Sequence, residues 1–181
     1  MADIVDSIIR TYDHVWGRFV GRLDGLSDEE YLWEPVAGCW SLRKASDGHW
    51  RLDGNGGGGP APHPVPVTTI AWRVGHLGPL ALGGFTDRCF GTGAFRRENL
   101  ELAPNAEAVV ALLDAQFRAW RDGLADLTPS EWRAPLGSSW GPYAEANMVD
   151  LALHVLDEVV HHAAEVGVLR DLYEHRSSLR R

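Results

Sequence analysis

The sequence predicts an all-α fold, a four-helix bundle with a long irregular connection between its first and second helices. Two observations carry the prediction. Four long segments place apolar residues at helical spacing, and no repeated apolar–polar alternation marks a set of strands. A third observation bounds the organisation: 181 residues suit one domain, taken as 1–181 with a loop insertion at about 54–66.

The elements follow in order. Ile4, Ile8, Ile9, Tyr12, Val15, Trp16, Phe19 and Leu23 form the apolar stripe of a first helix over 4–26, with Gly25 as its stop. Ser27-Asp28-Glu29-Glu30 reads as a capping box opening a short turn before Pro35. Residues 39–52 mix turn residues and aromatics without a helical period, which predicts irregular structure or a small hairpin. Residues 54–66 hold five glycines and four prolines, a surface loop or a mobile lid. A second helix starts at Thr68 or Thr69 and runs to about Phe90. A third runs from Asn105, its N-cap, to Leu127, with Val109, Leu112, Leu113, Phe117 and Trp120 on its apolar face. The fourth runs from Tyr143 or Ala144 to Tyr173. The connection over 25–66 is long for a bundle, and such connections often carry function.

Composition excludes several classes of function. Lys and Arg number 17 against 25 Asp and Glu, a formal net charge of −8. That balance repels phosphate backbones and anionic lipid surfaces, so neither nucleic acid nor membrane is expected as a partner. No run of about 18 apolar residues can span a bilayer. No Lys/Arg-led apolar segment opens the chain, and Cys39 and Cys89 read as free thiols, so a cytoplasmic location is expected. Eight tryptophans point to a core or pocket rich in large rings.

The fourth helix carries the chemical signal. At about 100° per residue, Met148, Val155, Val159 and Val166 fall within about 20° of one direction, the core-facing stripe. His162 lies about 40° from its centre, and Glu158 one turn earlier and about 40° further toward the edge. His161 lies about 140° away and faces outward or a flank. A carboxylate and an imidazole directed at an apolar stripe require a partner or a metal. At i and i+4 their Cβ atoms stand about 5–6 Å apart, close enough to share one ion. A plain Glu–His hydrogen bond at the rim of the core is the other reading of that pair.

His76 extends the set. It lies in the second helix with Trp72 one turn before it on the same face. Two imidazoles and one carboxylate, His76, Glu158 and His162, leave coordination positions open, as catalytic zinc sites do, and also suit other divalent metals. His154 continues the row and is expected to be a supporting partner or to face solvent. Three strings mislead. Asp157-Glu158-x-x-His161 has Asp where a zinc-protease helix needs its first His. Gly137-x-Ser139-x-Gly141 lacks the preceding strand of a nucleophile elbow, and serine hydrolysis through Ser139 stands only as an alternative. Gly54-x-Gly56-x-x-Gly59 is followed by Pro60 where a dinucleotide-binding helix would open.

These residues resemble a known family. Leu26-Ser-Asp-Glu-Glu-Tyr-Leu-Trp33-Glu-Pro, Gly38-Cys-Trp40-Ser, Thr69-Ile-Ala-Trp72-Arg-Val-Gly-His76-Leu and His154-Val-Leu-Asp-Glu158-Val-Val-His161-His162 are similar, in order and spacing, to the DinB/YfiT-like superfamily of metal-binding four-helix bundles. Leu169-Arg170-Asp171-Leu172-Tyr173 closes the last helix in the same manner. The resemblance implies a divalent metal, zinc or nickel, held by His76, Glu158 and His162. Many members carry His where Glu158 stands; the N-terminal domains of mycothiol-dependent maleylpyruvate isomerases are similar to this chain in carrying Glu. It further implies an enzyme of S-transferase or isomerase type that takes mycothiol or a related low-molecular-weight thiol and an electrophile, with Trp40, Trp72 and the 54–66 loop as candidate pocket walls. The alternative is a metal-binding, non-catalytic module that dimerises or binds a ligand; relatives often form homodimers. DNA binding does not follow, and the arginines over 176–181 are read as a charged helix end.

Overall fold

A computed structural model describes residues 2–57, 60–100, 102 and 104–178. Among them it has six α-helices and one two-stranded antiparallel sheet. The long α1 (Ala2–Leu23) and the short α2 (Asp28–Tyr31) come first. Strands β1 (Leu42–Lys44) and β2 (Trp50–Leu52) pair with Leu42 opposite Leu52 and Lys44 opposite Trp50. Then come α3 (Ile70–Gly75), α4 (Gly83–Phe90), α5 (Ala106–Ala125) and α6 (Met148–Glu174).

The expected second helix is thus one continuous run over 70–90 with a different geometry at its centre. His76–Leu82 winds as a π-helix, and the Gly83 amide donates to the Gly78 carbonyl five residues back. Pro79 explains the change. Its ring removes an amide donor and crowds the preceding turn, and a widened turn accommodates both. His76 is the first residue of that widened segment.

Caps set the other boundaries. Thr69 accepts from the Trp72 amide and Asn105 from the Ala108 amide, starting α3 and α5 where the sequence predicts. The fourth long helix begins at Met148, not at Tyr143 or Ala144. Asn147 accepts from Val149 and Asp150, Asp150 returns the bond, and Gly141 and Pro142 keep 138–143 in a separate 3-10 turn. The first helix ends at Leu23, ahead of a turn at Gly25 with φ of 69°. At α2, Ser27 accepts from the Glu30 amide as expected, but the Glu30 carboxylate turns to Arg170 instead of closing the box. The small hairpin over 39–52 forms.

Helix α6 packs on α1 and α3, and the π-helical segment packs on both α5 and α6. The core between them is aromatic. Trp16 stacks on Phe117 with ring centroids 3.9 Å apart. Fully buried Trp120 donates to the Tyr12 hydroxyl at 3.1 Å, and Tyr12 donates to the Ala152 carbonyl on α6 at 2.5 Å. The polar tips of Trp120 and Tyr12 are therefore satisfied, while the buried Trp132 indole N–H has no partner, and the apolar surface fixes α6 in register against the 70–90 run. No helix among the described residues is long and apolar enough to cross a membrane.

Candidate metal centre

The π-helical segment and α6 bring His76, Glu158 and His162 together. Their ligand-capable atoms all lie within 4.8 Å of one another. Glu158 Oε2 stands 3.3 Å from His76 Nε2 and 3.2 Å from His162 Nε2. The two imidazoles meet edge to face, with centroids 4.8 Å apart. His162 is buried, while His76 and Glu158 are partly open to solvent. Val155, Val159 and Val166 are fully buried beside His162 along α6, as the helical phase predicts, and Met148 at its start is half-buried.

Each imidazole is held from behind. His76 Nδ1 lies 2.8 Å from the Gly56 carbonyl, which can only accept, so this nitrogen carries the proton. His162 Nδ1 lies 2.7 Å from Glu165 Oε2 and donates to that carboxylate. Nε2 of each ring therefore points at Glu158: it donates to that carboxylate when the ring is protonated and is an open acceptor when the ring is neutral. With both rings neutral, three acceptors converge with no proton among them. A cation fits that donor set: the backbone carbonyl and the carboxylate behind the rings orient them as supporting groups orient metal-binding histidines.

Glu165 is the hub of the supporting layer. Arg73 Nη2 reaches its Oε1 at 2.9 Å, and exposed His161 reaches the same oxygen at 3.2 Å. Burial pushes the Glu165 carboxyl up, but the His162 hydrogen bond and the Arg73 charge outweigh it and hold it below its ordinary value. Hydrogen bonds from His162 and His76 hold Glu158 far below the usual carboxylate range. Burial pulls His162 down, yet its bonds to Glu158 and Glu165 leave it above an ordinary histidine. With Arg73 neutralising Glu165, the inner cluster of two neutral rings and Glu158 carries one negative charge, suited to a divalent cation.

The connection over 53–57 completes the wall. Asp53, Gly54, Asn55, Gly56 and Gly57 form a tight turn, with φ between 51° and 84° from Gly54 to Gly57. Glycine is required at Gly54, where a Cβ would stand 2.5 Å from the Trp40 ring. The Asp53 carbonyl accepts from Trp72 Nε1 at 2.9 Å, and Arg97 donates to the Asn55 carbonyl. Trp40 stacks on Trp72, and Trp72 stacks on His76 with 3° between planes. Trp40, Trp72 and the start of the 54–66 stretch therefore do stand against the site.

The remaining residues fall as follows. His154 is exposed and edge-on to Phe85, one turn from Glu158 with no bond to it. Ser139 sits exposed in a 3-10 turn, and no hydrogen bond joins its hydroxyl to a histidine, so the nucleophile elbow is absent. Gly54 and Gly56 shape a left-handed turn rather than a phosphate loop, and Gly59 lies outside the described residues. Arg176 packs over Tyr173, while Arg180 and Arg181 lie outside the described residues. Sequence reasoning assigned no role to Glu165, Arg73 or Gly56. The i, i+3 spacing of His162 and Glu165 is the signal that was there to find.

A family model described as the DinB superfamily matches residues 11–166, and the chain belongs to that superfamily of metal-binding proteins. Comparison with curated proteins and with solved structures returned no match.

Proposed function

We propose, with membership of the DinB superfamily as the premise, that this chain is a divalent-metal-dependent enzyme that uses a low-molecular-weight thiol in an S-transferase or isomerase reaction. The architecture belongs to the same reading: α1, the 70–90 run, α5 and α6 act as a four-helix bundle whose second and fourth members carry the site. The observation that supports it best is the convergence of His76 Nε2, Glu158 Oε2 and His162 Nε2, three acceptors whose rings are oriented from behind. Zinc or nickel suits two imidazoles and one carboxylate. When bound, such a metal supplies Lewis acidity and a lowered pKa to a thiol or water at its open position.

The chain's own residues do the rest. The Gly56 carbonyl and Glu165 hold both Nδ1 protons in place, so the proton a ring gives up to bind a metal leaves from Nε2, the atom turned to Glu158. The Trp72 ring lies flat against His76, shields it from water and fixes its plane. The thiolate must come from outside the chain. Burial pushes the Cys89 thiol up to about 11, and burial also raises Cys39, whose Sγ donates to the Val36 carbonyl.

The test uses cobalt as a spectroscopic replacement in the stripped, full-length chain. The reading expects d–d bands that shift when a low-molecular-weight thiol is added and that vanish in H162A. Bound cobalt without a thiol response would instead favour a non-catalytic metal-binding module. Unchanged bands in H162A would refute the ligand assignment.

A further inference from the structure

A second cleft opens one helical turn from Glu158. It has a volume of about 700 Å³, inside the roughly 300–1,000 Å³ range of small-molecule sites. Phe85 and Arg88 of α4, Trp140 and Tyr143 of the turn before α6, and Asp150 and His154 of α6 form its walls, the Asp150 carboxylate being taken up by the Asn147 amide at the helix cap. Phe85 and Trp140 face each other nearly parallel, with ring centroids 6.3 Å apart and 10° between planes. His154 closes the end edge-on to Phe85 at 5.9 Å, and makes no hydrogen bond or ion pair among the described residues.

Arg88 is the cation of this cleft. Its guanidinium lies 3.7 Å over the Trp140 ring, and its Nη2 donates to the Ser139 carbonyl at 2.6 Å. Those two contacts hold it in place, yet no carboxylate among the described residues pairs with it. In a chain with 25 acidic side chains against 17 basic ones, an arginine fixed beside aromatic walls without an acidic partner is set to receive one from elsewhere.

We propose that this cleft binds a planar aromatic carboxylate, its ring along the edges of Phe85 and Trp140, which stand too close together to admit a ring between them, and its carboxylate on Arg88. As the seat of the electrophile the cleft rests on the metal-and-thiol reading above; as a binding site for aryl carboxylates it stands on its own residues. His154 then hydrogen-bonds the same ligand from α6, and its place one turn before Glu158 sets the ligand beside the candidate metal ligands. Apolar and edge-to-face contact with the walls supplies affinity, and the guanidinium supplies the preference for an anion.

The experiment is calorimetric titration of the full-length chain with 2-naphthoate in the presence of chelator, so that no metal contributes. Binding is expected in the sub-millimolar range. 2-Naphthylmethanol, which keeps the rings and lacks the charge, should bind about tenfold more weakly, and R88Q should reduce naphthoate to the same level. Arg88 is exposed, so R88Q is expected to keep the fold, and the neutral ligand gives the same comparison without any substitution. Absence of binding at millimolar naphthoate, or equal affinity for acid and alcohol, would each overturn the proposal. None of these outcomes depends on metal binding, so a failure of the metal reading is registered separately by metal content.

Discussion

Two carboxylates are drawn in against α6, and they are partnered in opposite ways. Glu30 of α2 accepts from Arg170 Nε at 2.8 Å and Nη2 at 3.2 Å, and the remaining Arg170 nitrogen donates to the Arg22 and Asp24 carbonyls. Every acceptor there meets a donor. Glu158, three turns earlier on α6, faces two ring nitrogens that donate to it only while their rings are protonated. Both clusters have ion-pair spacing, but Arg170 keeps its charge, whereas the two imidazoles can give up a proton in favour of a cation. The lesson is that donor bookkeeping, rather than proximity, separates a structural ion pair from a ligand set.

The contrast yields predictions of graded size. The largest concerns the closed pair. Removing one partner of a buried ion pair costs about 3–5 kcal/mol, so R170A or E30A should lower the melting temperature strongly, at roughly 2–4 °C per kcal/mol, with metal stoichiometry unchanged. In the open cluster the same kind of change should behave differently. In chelator, at a pH where the imidazoles are neutral, E158Q should cost no more than about 1 kcal/mol, because the amide supplies donors to the facing ring nitrogens. If E158Q is as damaging as E30A without metal, the two clusters are of one kind and the contrast fails.

Metal addition comes next. A cation that binds only the folded chain stabilises it by about 2.7 kcal/mol at a hundredfold excess over Kd, so zinc should raise the melting temperature of the parent chain and leave E158Q nearly unmoved. Smaller still is E165Q, which removes the group behind His162. It should weaken metal binding about 10–100-fold in a competition titration while one ion per chain still binds at saturation. Full affinity in E165Q would mean that Glu165 serves Arg73 alone.

The smallest effect is a pH dependence with opposite signs for the two processes. Glu158 and Glu165 are held below their ordinary values, so their contribution to stability is complete above the unfolded value of about 4.3 and is lost as the pH falls below it. His162 is raised, so its contribution is complete below about 6.5 and is lost as the pH climbs through its folded value. The metal-free chain should therefore be most stable between about pH 4.3 and 6.5. Metal affinity should run the other way, rising with pH as protons leave the imidazoles. Thermal melts with chelator and zinc titrations over the same pH series check both; parallel trends would contradict the assignment of His162.

The site was legible in the sequence where helical phase decides it. His162 and Glu158 share a face of α6 by arithmetic, and His161 falls outside it, exposed. What stayed hidden depends on long-range packing or on backbone. Gly56 reaches His76 across 20 residues through a left-handed turn, and a carbonyl leaves no mark in a side-chain pattern. Glu30 and Arg170 stand 140 residues apart, so the short-range capping box hid the actual partner. The π-helical segment is hidden because Pro79 lies inside an apolar pattern that otherwise reads as one regular helix, and the widened turn it causes at His76 has no periodic signature. The late start of α6 was missed because the Asn147–Asp150 capping box went unread.

If His76, Glu158 and His162 form a ligand set, metal content shows it: elemental analysis of the chain purified without an affinity tag, then stripped and reloaded with zinc, beside H162A treated identically. One divalent ion per parent chain is expected, and loss of that ion in H162A with helical content retained. No ion in the parent chain after reloading, or an undiminished ion in H162A, would contradict it.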